Sequence, residues 1–232
     1  MILTGIQAYG GMVFDNPSRG SAYFTSGAYL STGASITLGI TCTAECWFRT
    51  TQNPASSKFV LIAGNGNRGM SIYNGLYGQS NYSATTITVD LETAGDTQFT
   101  VPTMVGNTWY HVAVTQNSAG TMALWLNGTR SSSGAKSMNW SFIANNYRIG
   151  AWSSQSTYSQ GVYISNPRLT NSAVYDVTQT AITVPSAPLT SIANTQLLLN
   201  TTNNANFLKD SSTNNITITN NGGVVSSALN PF

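Results

Sequence analysis

The segment from Gly106 to Arg130 constrains the fold of this chain more than any other part of the sequence. Residues between Trp109 and Thr115 alternate with a period of two, which is typical of a β-strand. Turn-forming residues follow at 117–120, and a second apolar run extends from Met122 to Leu126. This run stops at Asn127-Gly128, a dipeptide that strongly favours a two-residue turn. The segment therefore predicts a β-hairpin that ends in a second tight turn.

Short strand-like runs recur along the rest of the chain, and no long helical period is present. Many short strands with turn signals between them predict an all-β fold, a two-sheet antiparallel jelly-roll sandwich. The further predicted strands are Ser21–Phe24, Ala28–Leu30, Thr41–Thr50, Phe59–Ala63, Gly69–Tyr73, Thr85–Leu91, Tyr147–Gly150, Gly161–Leu169, Thr195–Leu199 and Asn215–Thr219.

The length of 232 residues is enough for one sizeable core, and all-β sandwiches of this size are commonly one domain. We expect residues 1–20 to form an N-terminal arm or edge strand, and residues 21–232 to form a single jelly-roll domain. Pro185 and Pro188 predict an extended crossover loop within that domain.

Charged residues make up only 7% of the chain, against about 25% in an average soluble protein. Serine, threonine, asparagine and glutamine supply the polarity instead. A surface of hydroxyls and amides suits a protein that packs into a large assembly or binds neutral sugars.

The distribution of charge and apolar residues excludes two classes of partner. The basic residues are scattered singly and the net charge is +2, so no nucleic-acid partner is expected. No apolar run approaches the roughly 18 residues of a membrane span, so no membrane partner is expected either. Residues 1–5 lack the pattern of a secretion signal, and we therefore expect synthesis and folding in a cytoplasm.

The two cysteines, Cys42 and Cys46, lie on one predicted strand and share a face with Ala44 and Phe48. A rise of about 3.3 Å per residue places them about 13 Å apart, beyond the reach of a disulfide. We interpret them as buried thiols that pack as small hydrophobic side chains. The chain has one histidine and no paired-cysteine motif, so no metal site and no cofactor are expected.

Four phrases in a fixed order resemble the concanavalin A-like, laminin-G-like jelly roll. They are Glu45-Cys46-Trp47-Phe48, the GNTWYHVA phrase at 106–113, Leu126-Asn127-Gly128 and the GVYISNPRL phrase at 161–169. The resemblance covers residues 21–232 and implies a sandwich fold that hosts lectins, hydrolases and structural modules. The tail from residue 183 onwards resembles that of tailed-phage virion proteins, notably those of cyanobacterial phages.

Relatives of this fold that bind calcium often carry an aspartate near the positions of Ser165 and Asn166. Both residues are uncharged here. The resemblance therefore does not imply an inherited calcium site.

A carboxylate pair, Asp90 and Glu92, gives the sequence its one candidate for hydrolytic chemistry. On a strand the two side chains share a face at about 6.5–7 Å, a separation that suits a glycosidase pair. Hydrolases of this fold carry an acidic strand of the form ExDxxE, and this chain lacks its first and last glutamates. The alternative is a solvated strand end, and we expect that the protein is not an enzyme.

Glu45, Trp47 and Arg49 share one face of a predicted strand, and a neighbouring strand can bring His111, the sole histidine, beside them. One hypothesis makes this face a polar groove in which Trp47 stacks against a sugar ring. The other is an ion pair that supports the sheet, with Trp47 as its apolar cover. We favour the ion pair because buried polar groups generally need partners.

The loop from Ala151 to Tyr158 is the predicted ligand-binding segment, with Trp152 and Tyr158 among serines. Loops carry function more often than the elements they connect. Exposed aromatic residues there suit a glycan, or they anchor a protein partner.

Two hypotheses for function follow from these observations. The first is a phage virion structural protein, a capsid decoration or cement protein that stabilises the shell through protein–protein contacts. It implies capsid or tail proteins as partners, a homo-oligomer, a location on the virion surface and synthesis in the host cytoplasm. The alternative is a carbohydrate-binding, lectin-like module on a tail fibre or cell surface, with host surface glycans as ligands.

Overall fold

The computed structural model describes residues 20–64, 69–75, 82–90, 96–143, 145–152, 159–201 and 206–232. Within these ranges the chain forms β-strands and no helix. The strands build two antiparallel sheets packed face to face, which confirms the all-β jelly-roll sandwich. No helix in the described ranges is long and apolar enough to cross a membrane.

The strands are numbered in chain order. They are β1 (Ser21–Phe24), β2 (Tyr29–Thr32), β3 (Cys42–Thr50), β4 (Val60–Gly64), β5 (Ser71–Asn74), β6 (Thr86–Asp90), β7 (Asp96–Thr100), β8 (Trp109–Gln116), β9 (Thr121–Leu126), β10 (Thr129–Arg130), β11 (Lys136–Ser137), β12 (Tyr147–Ile149), β13 (Val162–Thr170), β14 (Thr195–Leu198), β15 (Ile218–Asn221) and β16 (Val225–Ser227).

The two sheets differ in size. Sheet I has nine strands, seven of them in the order β10-β9-β8-β3-β13-β1-β16, with β11 paired to β9 and β14 paired to β13. Sheet II has seven strands in the order β15-β2-β12-β4-β5-β6-β7. Some neighbours in sheet order, such as β3 and β13 or β13 and β1, are distant in sequence, so the register between these strands decides which side chains meet.

The core lies between the sheets and follows the predicted alternation. On β3 the side chains at 42, 44, 46 and 48 enter the core, and on β8 those at 110, 112 and 114 do so. Cys42 and Cys46 are buried and free, as the sequence predicted. Burial raises the pKa of the Cys42 thiol to about 12, so both cysteines behave as small apolar side chains.

The predicted hairpin and its closing turn are confirmed. β8 pairs with β9, and Asn127 and Gly128 follow with φ of 48° and 78°, the left-handed values that a tight turn between paired strands requires. A Cβ on Gly128 would lie 2.6 Å from the carbonyl oxygen of Ile182, so the crossover loop also needs glycine here. In the first turn, Asn117 Oδ1 accepts a hydrogen bond from the Thr121 amide at 2.9 Å.

Four strands were not predicted, namely β7, β10, β11 and β16. In β7 only Thr97 and Phe99 are buried, so the apolar pattern is too short to recognise. The last predicted strand was placed at Asn215–Thr219, whereas β15 begins at Ile218. Asn215 has a φ of 48°, and the Asp210 carboxylate accepts a hydrogen bond from the Ile216 amide at 2.8 Å, so this stretch turns around Asp210.

The predicted crossover loop connects β13 to β14 and covers part of the outer face of sheet I. Val177, Tyr175 and Ile182 from this loop pack against Trp125 of β9. Residues 1–19 lie outside the described residues, so the N-terminal arm and the domain boundary at residue 20 stay predictions.

Candidate functional site

The outer face of sheet I consists of side-chain rows that run across neighbouring strands. Trp109 of β8 lies opposite Arg49 of β3, Arg49 opposite Tyr163 of β13, and Tyr163 opposite Tyr23 of β1. Directly opposed residues of antiparallel strands lie on the same face with Cβ atoms about 4.5–5.5 Å apart. These four side chains form one continuous row, which we call the aromatic row.

Parallel rows further along the same strands are buried. One row contains His111, Trp47 and Ser165, and the next contains Ala113, Glu45 and Arg168. A third row holds threonines, in which the hydroxyls of Thr43 and Thr115 lie 2.9 Å apart. The outer face therefore changes from buried polar rows to a half-exposed aromatic row.

Glu45 is the centre of the buried polar network. It is fully buried, and its Oε1 accepts hydrogen bonds from Nε and Nη2 of Arg168 at 3.0 and 2.5 Å. Its Oε2 accepts from Nε2 of His111 at 3.2 Å and from the Tyr175 hydroxyl at 2.8 Å. Arg168 also donates from Nη1 to the Thr190 carbonyl at 2.8 Å, which ties the crossover loop to the network.

Burial alone would raise the pKa of Glu45, because a low-dielectric site disfavours the charged carboxylate. The hydrogen bond from His111 and the charge of Arg168 outweigh burial and lower the pKa below its ordinary value of 4.5. The Tyr175 hydroxyl responds oppositely: burial and then the Glu45 charge raise its pKa. The network therefore holds an ionised carboxylate and a neutral phenol at neutral pH.

Trp47 and His111 lie between this network and the aromatic row. Their ring centroids are 5.1 Å apart, and the ring of Phe232 covers Trp47 in an edge contact at 5.6 Å. Trp47 is 8% exposed. Among the described residues, Trp47 Nε1 and His111 Nδ1 are buried without a hydrogen-bond partner, at a typical cost of about 1–3 kcal/mol each.

These contacts support the ion-pair interpretation of the Glu45, Trp47 and His111 cluster. The carboxylate is paired and Trp47 is covered, so neither forms an open groove in this structure. Arg168 completes the ion pair and was not singled out from the sequence.

The aromatic row is half-exposed and its rings are in contact. The rings of Tyr23 and Tyr163 stack with their centroids 4.5 Å apart and an interplanar angle of 30°. The ring centroid of Trp109 lies 6.4 Å from that of Tyr163. The guanidinium of Arg49 lies over the Tyr163 ring at 5.4 Å. Arg49 also donates to the carbonyl and to Oδ1 of Asn107 at 3.1 and 3.0 Å, which fixes its position.

Trp152, one of the two predicted ligand-binding residues, lies on the outer face of sheet II. It is 4% exposed and packs with Val60 and Ala63. Its ring meets that of Tyr73 edge-on at 4.8 Å. Tyr158 lies outside the described residues, so a ligand site formed by Trp152 and Tyr158 stays a prediction.

Of the predicted carboxylate pair, the structure describes Asp90 alone. Asp90 is buried at the end of β6, where it lies opposite Asp96 of β7. Glu92 lies outside the described residues, so the Asp90–Glu92 pair stays a prediction.

Residues at the position where calcium-binding relatives carry aspartate make protein hydrogen bonds instead. Ser165 Oγ donates to the Gly20 carbonyl at 2.6 Å, and Asn166 Nδ2 donates to the Asn200 carbonyl at 3.0 Å. Calcium sites are built largely from carboxylates. In the described ranges no three His, Cys, Asp or Glu residues group in a way that could hold a metal ion. The residues at 165 and 166 therefore do not fit a calcium site of that kind.

The fold is similar to that of several solved structures. A Bacteroides ovatus protein, provisionally described as carbohydrate-binding, aligns with a TM-score of 0.64 at 16% identity. The alignment covers 91% of this chain and 60% of that protein. A native heptameric SAP-like pentraxin from Limulus polyphemus aligns with a TM-score of 0.60 at 12% identity, covering 91% of this chain and 96% of the pentraxin.

Domains LG4-5 of the mouse laminin alpha1 chain align with a TM-score of 0.50 at 15% identity, covering 73% of this chain and 48% of that structure. At these identities the likenesses show the fold alone. Among curated proteins, no sequence matches this chain. A family model described as the concanavalin A-like lectin/glucanases superfamily matches residues 21–182.

Proposed function

Because the chain belongs to the concanavalin A-like lectin/glucanases superfamily, we propose that it is a carbohydrate-binding, lectin-like module whose binding site is the aromatic row. The observation that carries this proposal is the half-exposed stack of Tyr23 and Tyr163, extended by Trp109 on the same sheet face. Aromatic side chains in cross-strand register place apolar ring atoms side by side on a rigid sheet, where the C–H face of a sugar ring can pack against them.

The physical basis is the two-sided chemistry of a pyranose. One face of its ring presents C–H groups, and covering them with an aromatic ring removes apolar surface from water at about 25 cal/mol per Å². The equatorial hydroxyls point sideways and need hydrogen-bond partners. Asn107 is exposed and hydrogen-bonded to Arg49, so its amide lies beside the row and can meet such hydroxyls.

The length of the row favours an oligosaccharide over a single sugar. Trp109, Arg49, Tyr163 and Tyr23 occupy four adjacent strands. Neighbouring strands lie about 4.8 Å apart, so the row extends about 14 Å across the sheet. This distance exceeds one pyranose ring, and we expect longer chains to bind more tightly than monosaccharides.

Binding without catalysis is part of the proposal. Glu45 lies four residues from Arg49 on the same strand face, about 13 Å away at about 3.3 Å per residue. It is fully buried and accepts hydrogen bonds from three side chains, so it is not free to exchange a proton with a ligand on the row. The sparse charge of the chain also favours neutral glycans, whose hydroxyls match a surface of hydroxyls and amides.

Capsid decoration and a location on the virion surface stay predictions from the sequence resemblance. Carbohydrate binding, the alternative weighed beside them, is favoured by the half-exposed aromatic row. The Bacteroides ovatus protein, with its provisional carbohydrate-binding description, agrees with this choice, although this chain spans only 60% of its length.

A glycan microarray tests the proposal with one variant and a matched control. Tyr163→Ala removes the centre of the row. Tyr29→Ala removes a half-exposed tyrosine of sheet II that carries Arg148 over its ring at 4.6 Å, much as Tyr163 carries Arg49. We expect wild type and Tyr29→Ala to bind the same glycans, and Tyr163→Ala to bind them about tenfold or more weakly, the loss typical of a truncated aromatic anchor. Equal binding by Tyr163→Ala, or no binding by wild type, would refute the proposal.

A further inference from the structure

The row next to the aromatic row contains Trp47, whose ring is covered by the side chain of Phe232. Trp47 lies two residues from Arg49 on β3, and His111 lies two residues from Trp109 on β8, so both face outward beside the aromatic row. Phe232 meets Trp47 edge-on at 5.6 Å and is itself half-buried. An aromatic ring that rests on Trp47 occupies the place that a sugar ring would take if the row continued.

The polar atoms under this cover are suited to a hydroxyl group. An ionised carboxylate only accepts hydrogen bonds, so His111 Nε2 carries the hydrogen that it shares with Glu45, and Nδ1 is the second polar atom of the ring. Trp47 Nε1 is a donor. Both atoms are buried without a partner among the described residues, in two rings whose centroids are 5.1 Å apart. A hydroxyl both donates and accepts, so one hydroxyl can accept from Trp47 Nε1 and can bind His111 Nδ1 in either role.

Among the described residues, few hydrogen bonds hold the segment that carries Phe232. Residues 228–232 belong to no strand. Within the described ranges, the bond from Ser21 Oγ to the Leu229 carbonyl at 2.6 Å is the one that joins residues 229–232 to a distant part of the chain. The Phe232 amide donates locally, to Asn230 Oδ1 at 3.1 Å. Such a segment can move without breaking a sheet ladder.

We propose that Trp47 and His111 form a second sugar-binding subsite, continuous with the aromatic row, and that Phe232 covers it until a glycan displaces its ring. The ligand is a pyranose unit of a longer chain whose other units lie on the aromatic row. This inference rests on the proposed function of that row. It adds a competition between the Phe232 ring and the glycan for the face of Trp47.

The competition makes removal of Phe232 a gain-of-binding experiment. The probes are neutral hexasaccharides of glucose and of mannose, with the corresponding disaccharides, measured by calorimetry against wild type and Phe232→Ala. We expect Phe232→Ala to bind the best hexasaccharide at least about threefold more tightly, with a smaller gain for its disaccharide. Leu229→Ala is the matched control, because Leu229 is an exposed apolar residue of the same segment. It should bind like wild type.

A second substitution separates the subsite from a general loosening of the fold. Trp47→Phe keeps an aromatic ring but removes the Nε1 donor, and in the Phe232→Ala background it should abolish the gain. If Phe232→Ala unfolds, Phe232→Leu is used instead, and its smaller side chain should still give a gain. Unchanged or weaker binding in the folded Phe232 variant would overturn the subsite. The proposed function itself fails separately, when Tyr163→Ala binds as well as wild type.

Discussion

The buried ion pair of sheet I gives the sharpest test of the structural account. Replacing Glu45 with Gln preserves the shape of the side chain and removes its charge. Arg168 then remains buried with its guanidinium charge uncompensated, since among the described residues its ion-pair partner is the Glu45 carboxylate. The amide also cannot accept from all the donors that now converge on the carboxylate, which come from Arg168, His111 and Tyr175.

The magnitude follows from the burial of the pair. Breaking a buried ion pair by removing one partner costs about 3–5 kcal/mol. For a domain of this size each kcal/mol lowers Tm by about 2–4 °C, so the expected fall is about 6–20 °C. The loss of unfolding free energy in Glu45→Gln depends on pH. The pKa of Glu45 is lower in the folded chain than in the unfolded chain. Its contribution to the free energy of unfolding is therefore complete above about pH 4.5 and is lost as the pH falls through the pKa of the folded chain.

The assay is chemical denaturation of wild type and Glu45→Gln at pH 7 and at several acidic pH values. The difference in unfolding free energy should be largest at pH 7 and should narrow below about pH 4.5. Asp176→Asn is the control, because Asp176 is an exposed carboxylate with a local hydrogen bond from the Thr178 hydroxyl at 2.8 Å. A deficit below about 1 kcal/mol, or one that widens in acid, would refute the reasoning.

Three further predictions concern the turn, the outer face of sheet II and the cysteines. Gly128→Ala should lower the unfolding free energy by about 1–3 kcal/mol, because the residue has a φ of 78° and lies against a backbone carbonyl. Chemical denaturation should show a smaller loss of unfolding free energy for Gly134→Ala, because the added Cβ has no other atom within 4 Å. Trp152→Ala should cost about 3–5 kcal/mol in the same assay, whereas a ligand-binding residue with no packing role would leave stability unchanged. Cys42 and Cys46 should resist a thiol reagent at about pH 8 in the native protein and react after unfolding, since burial raises the pKa of both thiols. Rapid labelling of the native protein would contradict this prediction.

The sequence was sufficient for features that depend on neighbouring residues. The alternation of Tyr110, Val112 and Val114 with outward residues was readable because each β-strand repeats every two residues. The turn at Asn127-Gly128 was readable because few residues other than glycine and asparagine adopt a positive φ. These two signals defined the hairpin and, with similar runs elsewhere, the sandwich.

The aromatic row could not be predicted in the same way, because it depends on register. Tyr23, Arg49, Trp109 and Tyr163 come from four strands that are far apart in sequence. Nothing local to any of them specifies which residue of the next strand lies opposite. Only the pairing of β8, β3, β13 and β1 brings them into one row.

The Glu45–Arg168 pair was missed for a related reason. Arg168 is five residues from Tyr163, and a regular strand would place the two on opposite faces. The register shifts between Ser165 and Arg168, where Asn166 has a φ of 49°, and this bulge turns Arg168 to the outer face. The Asn-Pro dipeptide at 166–167 is the sequence signal that could have indicated it.

The predicted exposure of Trp152 was wrong for a different reason. Its polar, serine-rich surroundings indicated an exposed loop, but the chain places the indole against Tyr73, Val60 and Ala63 on the outer face of sheet II. Composition describes the average environment of a segment, whereas the burial of one ring depends on the strands beneath it.

The central claim is that glycans bind on the outer face of sheet I at the aromatic row. The most direct test is an NMR titration of the indole N–H groups of the five tryptophans with an oligosaccharide that binds on the microarray. The account predicts that the Trp109 resonance shifts, while that of Trp125, buried under the crossover loop, stays in place. A shift of Trp152 with Trp109 unchanged would contradict the account and would place the binding site on the outer face of sheet II.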